Sequence, residues 1–135
     1  MDYKTVLTTC TYCGCGCNFY LEVLDGKVTS TIPCKTSPIS EGKLCIKGWN
    51  VHEFVQSEKR LTKPLVRKDG ELVEVSWEEA LDYTAGKLRT IVDDNGPDSV
   101  GFLASAKVTN EENYLLQKFA RAGVGTNSVD HCARL

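Results

Sequence analysis

Cys10-Thr11-Tyr12-Cys13-Gly14-Cys15-Gly16-Cys17 places four of the chain's seven cysteines within eight residues, and Cys45 follows after a gap of 27. A cubane iron–sulfur cluster takes soft thiolate ligands at four corners. Three close cysteines on one loop can wrap three of those corners, and the fourth ligand then arrives from elsewhere in the fold. Cys10, Cys13, Cys17 and Cys45 fit that pattern, and Gly14 and Gly16 give the loop a permissive backbone that can approach a cluster closely. A structural zinc site is the competing reading. Zinc usually draws on two paired knuckles, whereas Cys45 stands alone and His52 lies seven residues beyond it. A radical-generating cluster would show the reverse spacing and only three ligands. The spacing therefore favours [4Fe–4S]. Cys15 and Cys34 are surplus to it. Cys15 lies inside the loop, where it either substitutes for a neighbour or fills space as a small thiol, and Cys34 reads as filler.

Disulfides are the other use for cysteine. An odd count, packed this tightly and without a secretory leader pattern, speaks against a disulfide framework. The N-terminal stretch MDYKTVLTTC has no basic region followed by an apolar one and no twin arginine, so a cytoplasmic setting is expected. No apolar run approaches the length of a membrane span. With 135 residues, 25% charged and a net charge of −2, the chain carries no broad basic footprint for nucleic acid.

Outward from the cysteines, the first third reads as short strands. Asn18 to Leu24 alternate as a half-buried strand, Asp25-Gly26 signals a hairpin, and Lys27 to Ile32 form the return strand. Pro33, Pro38 and Gly42 mark a loop leading to Cys45, and a short helix is expected from about Trp49 to Ser57. Lys59, Arg60, Lys63, Arg67 and Lys68 make a basic stretch offset by Glu58, Asp69 and Glu71. It reads as a solvated run, with a docking surface for an electron-transfer subunit as the alternative. Asp69-Gly70 predicts a second hairpin. Ser76 and Glu79 make a capping box, and the helix behind it carries an apolar stripe of Trp77, Ala80, Leu81, Leu88, Ile91 and Val92, ending at Gly96-Pro97. Val100 to Ala104 read as a buried parallel strand. Thr109 and Glu112 form a second capping box, opening a helix through about Ala122 that Gly123 and Gly125 stop. The expected class is mixed, α+β passing into α/β, with a small β-rich domain over residues 1–60 and the beginning of an α/β domain over 61–135.

The assembled motifs resemble a known family. Cys10, Cys13 and Cys17 followed by Gly42-Lys43-Leu44-Cys45-Ile46-Lys47-Gly48 are similar to the cluster-domain signature of molybdopterin-guanine-dinucleotide oxidoreductases. Arg60-Leu61, Pro64-Leu65 and Ser76-Trp77-Glu78-Glu79-Ala80-Leu81 continue it in the same order. Asn113-Tyr114, Gln117 to Ala122 and Gly125 to Arg134 resemble the catalytic subunits of formate dehydrogenases. The resemblance implies a β-rich [4Fe–4S] domain followed by the start of a pterin-binding α/β domain. It implies a bis-molybdopterin guanine dinucleotide centre with molybdenum or tungsten, and reversible oxidation of formate to carbon dioxide. Iron–sulfur electron-transfer subunits, with a hydrogenase module as one form of them, would be the partners. Lys47 matches the lysine lying between cluster and pterin. The loop from Ser105 to Asn110 is a candidate cradle for cofactor phosphates, with an ordinary helix cap as the other reading. His131 and Arg134 flank the approach to the active site, and Cys132 reads as a buried structural cysteine.

By the same resemblance no catalytic residue lies within this segment. The metal ligand is expected at position 136, one beyond Leu135, and a record ending there is what translation of a selenocysteine codon as stop would give. Two other readings stay open on sequence grounds: a freestanding ferredoxin-like electron carrier, and another molybdopterin oxidoreductase such as a nitrate reductase.

Overall fold

Asp25 (φ 47°) and Gly26 (φ 80°) both adopt left-handed backbone, as the two central residues of a type I′ turn must. They join β2 (Asn18–Leu24) to β3 (Lys27–Pro33), and β1 (Tyr3–Thr9) pairs with the other side of β2, giving an antiparallel sheet of order β1-β2-β3. Val6 faces Leu21 across β1 and β2, and the β2–β3 register shifts at Glu22 and Val23. The computed structural model describes residues 1–132. These divide into two compact units, one of Met1–Arg60 with Ser105–Asn113 and one of Leu61–Ala104 with Tyr114–Cys132.

In the first unit the apolar face of this sheet meets two short helices. Phe19, 1% exposed, packs with Cys10 and Val51, and Tyr12, Cys17, Leu21, Leu44 and Phe54 surround them. The helical stretch differs from expectation. It begins earlier, as α1 (Ile46–Trp49), and restarts as α2 (Val51–Val55). Asn50 makes the break, because its carboxamide donates to the Ile46 carbonyl at 2.8 Å and its own backbone (φ −107°, ψ 17°) leaves the helical region. Gln56 then fastens α2 to the sheet. Its side-chain amide donates to the Val28 carbonyl (2.8 Å) and accepts from the Val28 N–H (3.2 Å), standing in for one residue of a further strand. His52 Nδ1 lies 3.1 Å from Thr31 Oγ1 on the same side.

The second unit opens with the hairpin of β4 (Leu65–Lys68) and β5 (Glu71–Glu74), turned at Asp69 (φ 50°) and Gly70 (φ 91°). The basic run is partly neutralised here, with Lys63 paired to Glu74 at 3.3 Å and Lys68 to Glu79. Ser76 caps α3 (Trp77–Asn95) by accepting the Glu79 N–H at 3.1 Å. The box is half made, since the Glu79 carboxylate turns to Lys68 instead of returning to the cap. Among the described residues of α3 none is buried. Trp77 and Leu81 stand 68% and 61% exposed, and the stripe residues Leu88 and Val92 line an open groove opposite Phe119 and Val124.

Two further expectations need correction. The strand runs as β6 (Phe102–Ser105), because Val100 is held back by the 3-10 turn Pro97–Ser99, its N–H bonding the Pro97 carbonyl at 3.2 Å. It pairs with β7 (Val129–Cys132) in a two-stranded sheet and is half-buried at most, with Leu103 86% exposed. The last helix, α4 (Asn110–Lys118), is α-helical only to Lys118 and then widens into a π-helical turn, Phe119–Val124. Gly123 permits this, since a Cβ there would lie 2.8 Å from the Phe119 ring, which itself packs edge-on against Phe102. Gly125 (φ 90°) ends the turn.

Phe19 is the centre of the first unit's small core. Phe19→Ala is expected to cost about 3–5 kcal/mol, read as a lower denaturation midpoint of the cluster-free polypeptide. A loss of only about 0.5 kcal/mol, the size usual at surface positions, would contradict that placement.

Candidate metal centre

The β1–β2 connection is the cysteine loop. Beyond the last strand pair, Thr9 with Asn18, the Cys10 N–H donates to the Cys17 carbonyl at 2.8 Å, so the first and last cysteines of the loop face each other across the hairpin mouth. Asn18 Nδ2 bonds Thr9 Oγ1 at 2.9 Å and fixes the same mouth from the side-chain level. Between these ends the backbone must reverse in six residues, and Gly16 does so at φ 72°, a conformation an L side chain resists. Gly14 serves a different purpose from the one expected of it. Its φ is not left-handed, but a Cβ there would collide with the Asn110 carboxamide, 2.9 Å from its Cγ.

Cys10 is buried at 6% exposure, Cys13 and Cys17 are half-buried, and Cys15 and Cys45 are exposed. Burial pushes the Cys17 thiol up to about 11, and the Cys15 thiol and the charges of Cys15, Cys10 and Cys13 push it the same way. The loop therefore crowds its thiols within electrostatic reach of one another. Bare thiolates in that arrangement repel, and the repulsion is removed when a cation takes the negative charge. Cys45 is prepared differently. The backbone N–H of Gly48 holds its thiol below the usual value, helped by the N–H and ammonium charge of Lys47.

The residues on either side of Cys45 contact the loop and its core. Leu44 packs on the core formed around Cys10, and Lys47 Nζ stands 5.8 Å from the centroid of the Tyr12 ring. Tyr12, which sequence reasoning passed over, therefore organises the site. It lies between two of the candidate ligands, packs edge-on against Phe54 at 5.9 Å and carries Lys47 on its face. An aromatic residue inside a Cys-x2-Cys loop is the signal that could have found it.

The all-cysteine donor set suits an iron–sulfur cluster, whose four iron corners each take one thiolate. Among the described residues, no three His, Cys, Asp or Glu side chains converge as a single metal ion would require. His52 is engaged with Thr31. Of the surplus thiols, Cys15 Sγ lies 3.5 Å from Cys17 Sγ. Cys34 is buried at the end of β3, with Thr36 Oγ1 at 3.4 Å and the Tyr20 hydroxyl at 3.9 Å. The Thr36 hydroxyl is the main reason its thiol falls below the ordinary value.

Several polar groups of the loop after β6 bond within the segment. Ser105 Oγ accepts the Lys107 N–H at 3.0 Å, and the Ser105 carbonyl accepts from Asn113 Nδ2 at 3.2 Å. Thr109 and Glu112 form a complete capping box: the Glu112 carboxylate takes the Thr109 N–H at 2.7 Å and Thr109 Oγ1 accepts the Glu112 N–H at 3.3 Å. Asn110 donates to the Gly14 carbonyl at 3.1 Å. His131 and Cys132 belong to β7, His131 exposed and Cys132 half-buried. Arg134 and position 136 lie outside the described residues.

Comparison with known proteins follows these lines. Residues 3–57 match the molybdopterin oxidoreductase Fe4S4 domain and residues 60–135 match molybdopterin oxidoreductase. The chain is 54% identical over 134 residues to F420-dependent formate dehydrogenase 2 subunit alpha of Methanococcus maripaludis, covering 99% of this chain and 19% of the relative. It is 50% identical over 135 residues to the F420-dependent formate dehydrogenase subunit alpha of Methanocaldococcus jannaschii, covering all of this chain and 19% of that relative. The chain thus spans about a fifth of the length of the curated relatives it matches. Among solved structures, acetylene hydratase from Pelobacter acetylenicus superposes with a TM-score of 0.70 at 27% identity, over 93% of this chain and 18% of that one. The fold, the cysteine loop and the whole-length matches agree, and the chain belongs to the molybdopterin oxidoreductase family.

Proposed function

We propose that this chain is part of the catalytic subunit of a formate dehydrogenase, which converts formate reversibly to carbon dioxide, a proton and two electrons, and that its own task is electron exit. The observation that carries the reading is identity of 50–54% over essentially the whole chain to subunits named for that reaction. Fold likeness alone would not carry it, since acetylene hydratase shares the fold at half that identity. The freestanding-carrier reading is weakened because the match continues past the cluster segment through residues 60–135.

In this reading Cys10, Cys13, Cys17 and Cys45 hold one [4Fe–4S] cluster, with residues 1–60 as the cluster domain and 61–135 as the beginning of the pterin-binding domain. A bound cluster supplies one-electron storage at a tunable potential. The protein's part is to hold it. The sheet fixes Cys10 and Cys17, the N–H groups of Gly48 and Lys47 favour the Cys45 thiolate, and the Tyr12 ring positions the Lys47 ammonium. A cation there favours the more negative, reduced form of the cluster and can hydrogen-bond a pterin. A molybdenum or tungsten bis-molybdopterin guanine dinucleotide would be held mainly by residues beyond this chain. For Ser105 and Asn110 to bind its phosphates, they must exchange the partners they now hold.

The name "subunit alpha" in the relatives supports further subunits, and iron–sulfur electron-transfer proteins, in a hydrogenase module or otherwise, are the partners the exit role requires. Among the described residues no helix is long and apolar enough to cross a membrane. An odd count of seven cysteines, none in a disulfide among the described residues, suits a reducing compartment such as the cytoplasm.

Two outcomes are expected. Serine at Cys10, Cys13, Cys17 or Cys45 of the full-length polypeptide should cut iron and acid-labile sulfide together, while Cys15→Ser should retain both. Retention in all four ligand variants, or loss only in Cys15→Ser, would overturn the ligand assignment. The full-length, cofactor-loaded enzyme should reduce a viologen dye with formate. Lys47→Met should slow that turnover with little change in KM and lower the cluster's midpoint potential by an amount on the order of tens of millivolts. No formate-dependent reduction by the intact enzyme would defeat the functional reading, and an unchanged potential would defeat the role of Lys47.

A further inference from the structure

We propose that Asn110 is a positioning residue for the cluster loop, locking the Gly14 peptide between Cys13 and Cys15. The inference rests on the reading that this loop holds an iron–sulfur cluster. Asn110 and Gly14 are 96 residues apart, yet Asn110 Nδ2 donates to the Gly14 carbonyl at 3.1 Å. The contact is close as well as polar. The carboxamide occupies the space where a Gly14 Cβ would stand, so a methyl group there would collide with Oδ1 and lie 2.9 Å from Cγ and 3.1 Å from Nδ2. Gly14 is thus a glycine because of Asn110, whereas Gly16 is one because of its own φ of 72°.

A clamp is useful only if it is itself held. Asn110 begins α4 directly after the completed Thr109–Glu112 box, which fixes the helix start from both directions. Asn113 and Lys107 bond back to Ser105 and close the other end of the segment. Ser105–Asn113 falls in the same compact unit as Met1–Arg60, so the segment is a rigid brace from late in the chain applied to a loop from early in it. Rigid supports of this kind set the geometry of metal-ligating residues.

The peptide it pins has a second end. A trans peptide is planar, so holding the Gly14 carbonyl also fixes the direction of the Cys15 N–H, on the opposite edge of the same plane. N–H groups near cluster sulfur are one of the levers on its reduction potential. Asn110 therefore controls both the spacing of the ligands flanking Gly14 and the aim of a donor between them.

The test uses full-length enzyme, reading iron and acid-labile sulfide per chain, the midpoint potential of the cluster and the electron paramagnetic resonance of its reduced form. Asn110→Asp keeps the size and suits a helix start, but it cannot donate to a carbonyl. It should load iron normally and shift both the potential and the resonance. Gly14→Ala should lose most of its iron. Gly14→Ala combined with Asn110→Ala should regain iron, because the obstruction is gone, and keep the shifted potential, because the hydrogen bond is gone. Wild-type potential and spectrum in Asn110→Asp, or normal iron in Gly14→Ala with Asn110 intact, would overturn the clamp and leave the cluster reading standing. Absence of iron and sulfide from the wild-type protein would instead overturn the cluster reading and the clamp with it.

Discussion

The hydrogen bond from the Cys10 N–H to the Cys17 carbonyl, 2.8 Å long, extends the β1–β2 ladder one step past its last paired residues and turns a hairpin connection into a closed loop. Much of the first unit depends on that closure. It fixes two candidate ligands at the mouth of a six-residue reversal, and it places Cys10 and Cys17 against Phe19, the most buried side chain nearby. The sheet thereby serves as a rigid base for three of the four proposed ligands, and Leu44, next to the fourth, packs on the same core. Sites built on regular elements hold their geometry better than sites on free loops.

The electrostatics of Cys17 and Cys45 are opposed. The Cys17 thiol resists ionisation, because burial and its neighbouring thiols disfavour another negative charge. Cys45 is eased toward thiolate by backbone N–H groups and by Lys47. A cluster that brings its own positive charge resolves the first and exploits the second. Lys47, held over Tyr12, is the cation proposed to stand beside a cluster whose charge changes with each electron.

The sequence made some of this readable and hid the rest, for physical reasons. Both Asp-Gly hairpins were legible because two consecutive positive φ values leave few residue choices. The capping boxes at Ser76 and Thr109 were legible because they are local, although only the second is complete. The cysteine spacing announced a cluster loop in the same local way. Non-local facts were not readable. Asn50 breaks a helix by turning its side chain back to Ile46, and nothing in its neighbours requires that choice. The α3 stripe is periodic, but periodicity does not supply a covering element, and Phe119, Gly123 and Val124 line the open groove opposite it. The π-helical turn depends on Gly123 making room for the Phe119 ring, and the Asn110–Gly14 contact joins residues 96 positions apart. At a helix start Asn110 reads as part of an anion site, and only its distant partner Gly14 shows its other use.

The proposed electron exit requires that the Cys10, Cys13, Cys17 and Cys45 thiolates share a multi-iron cluster. Iron-edge X-ray absorption of the purified full-length enzyme, compared with its Cys45→Ser variant, addresses it most directly. The account predicts an all-sulfur coordination sphere with a clear iron–iron shell in the wild-type protein, and a loss of that shell on substitution. Metal bound without any metal–metal shell, or zinc in place of iron, would contradict it.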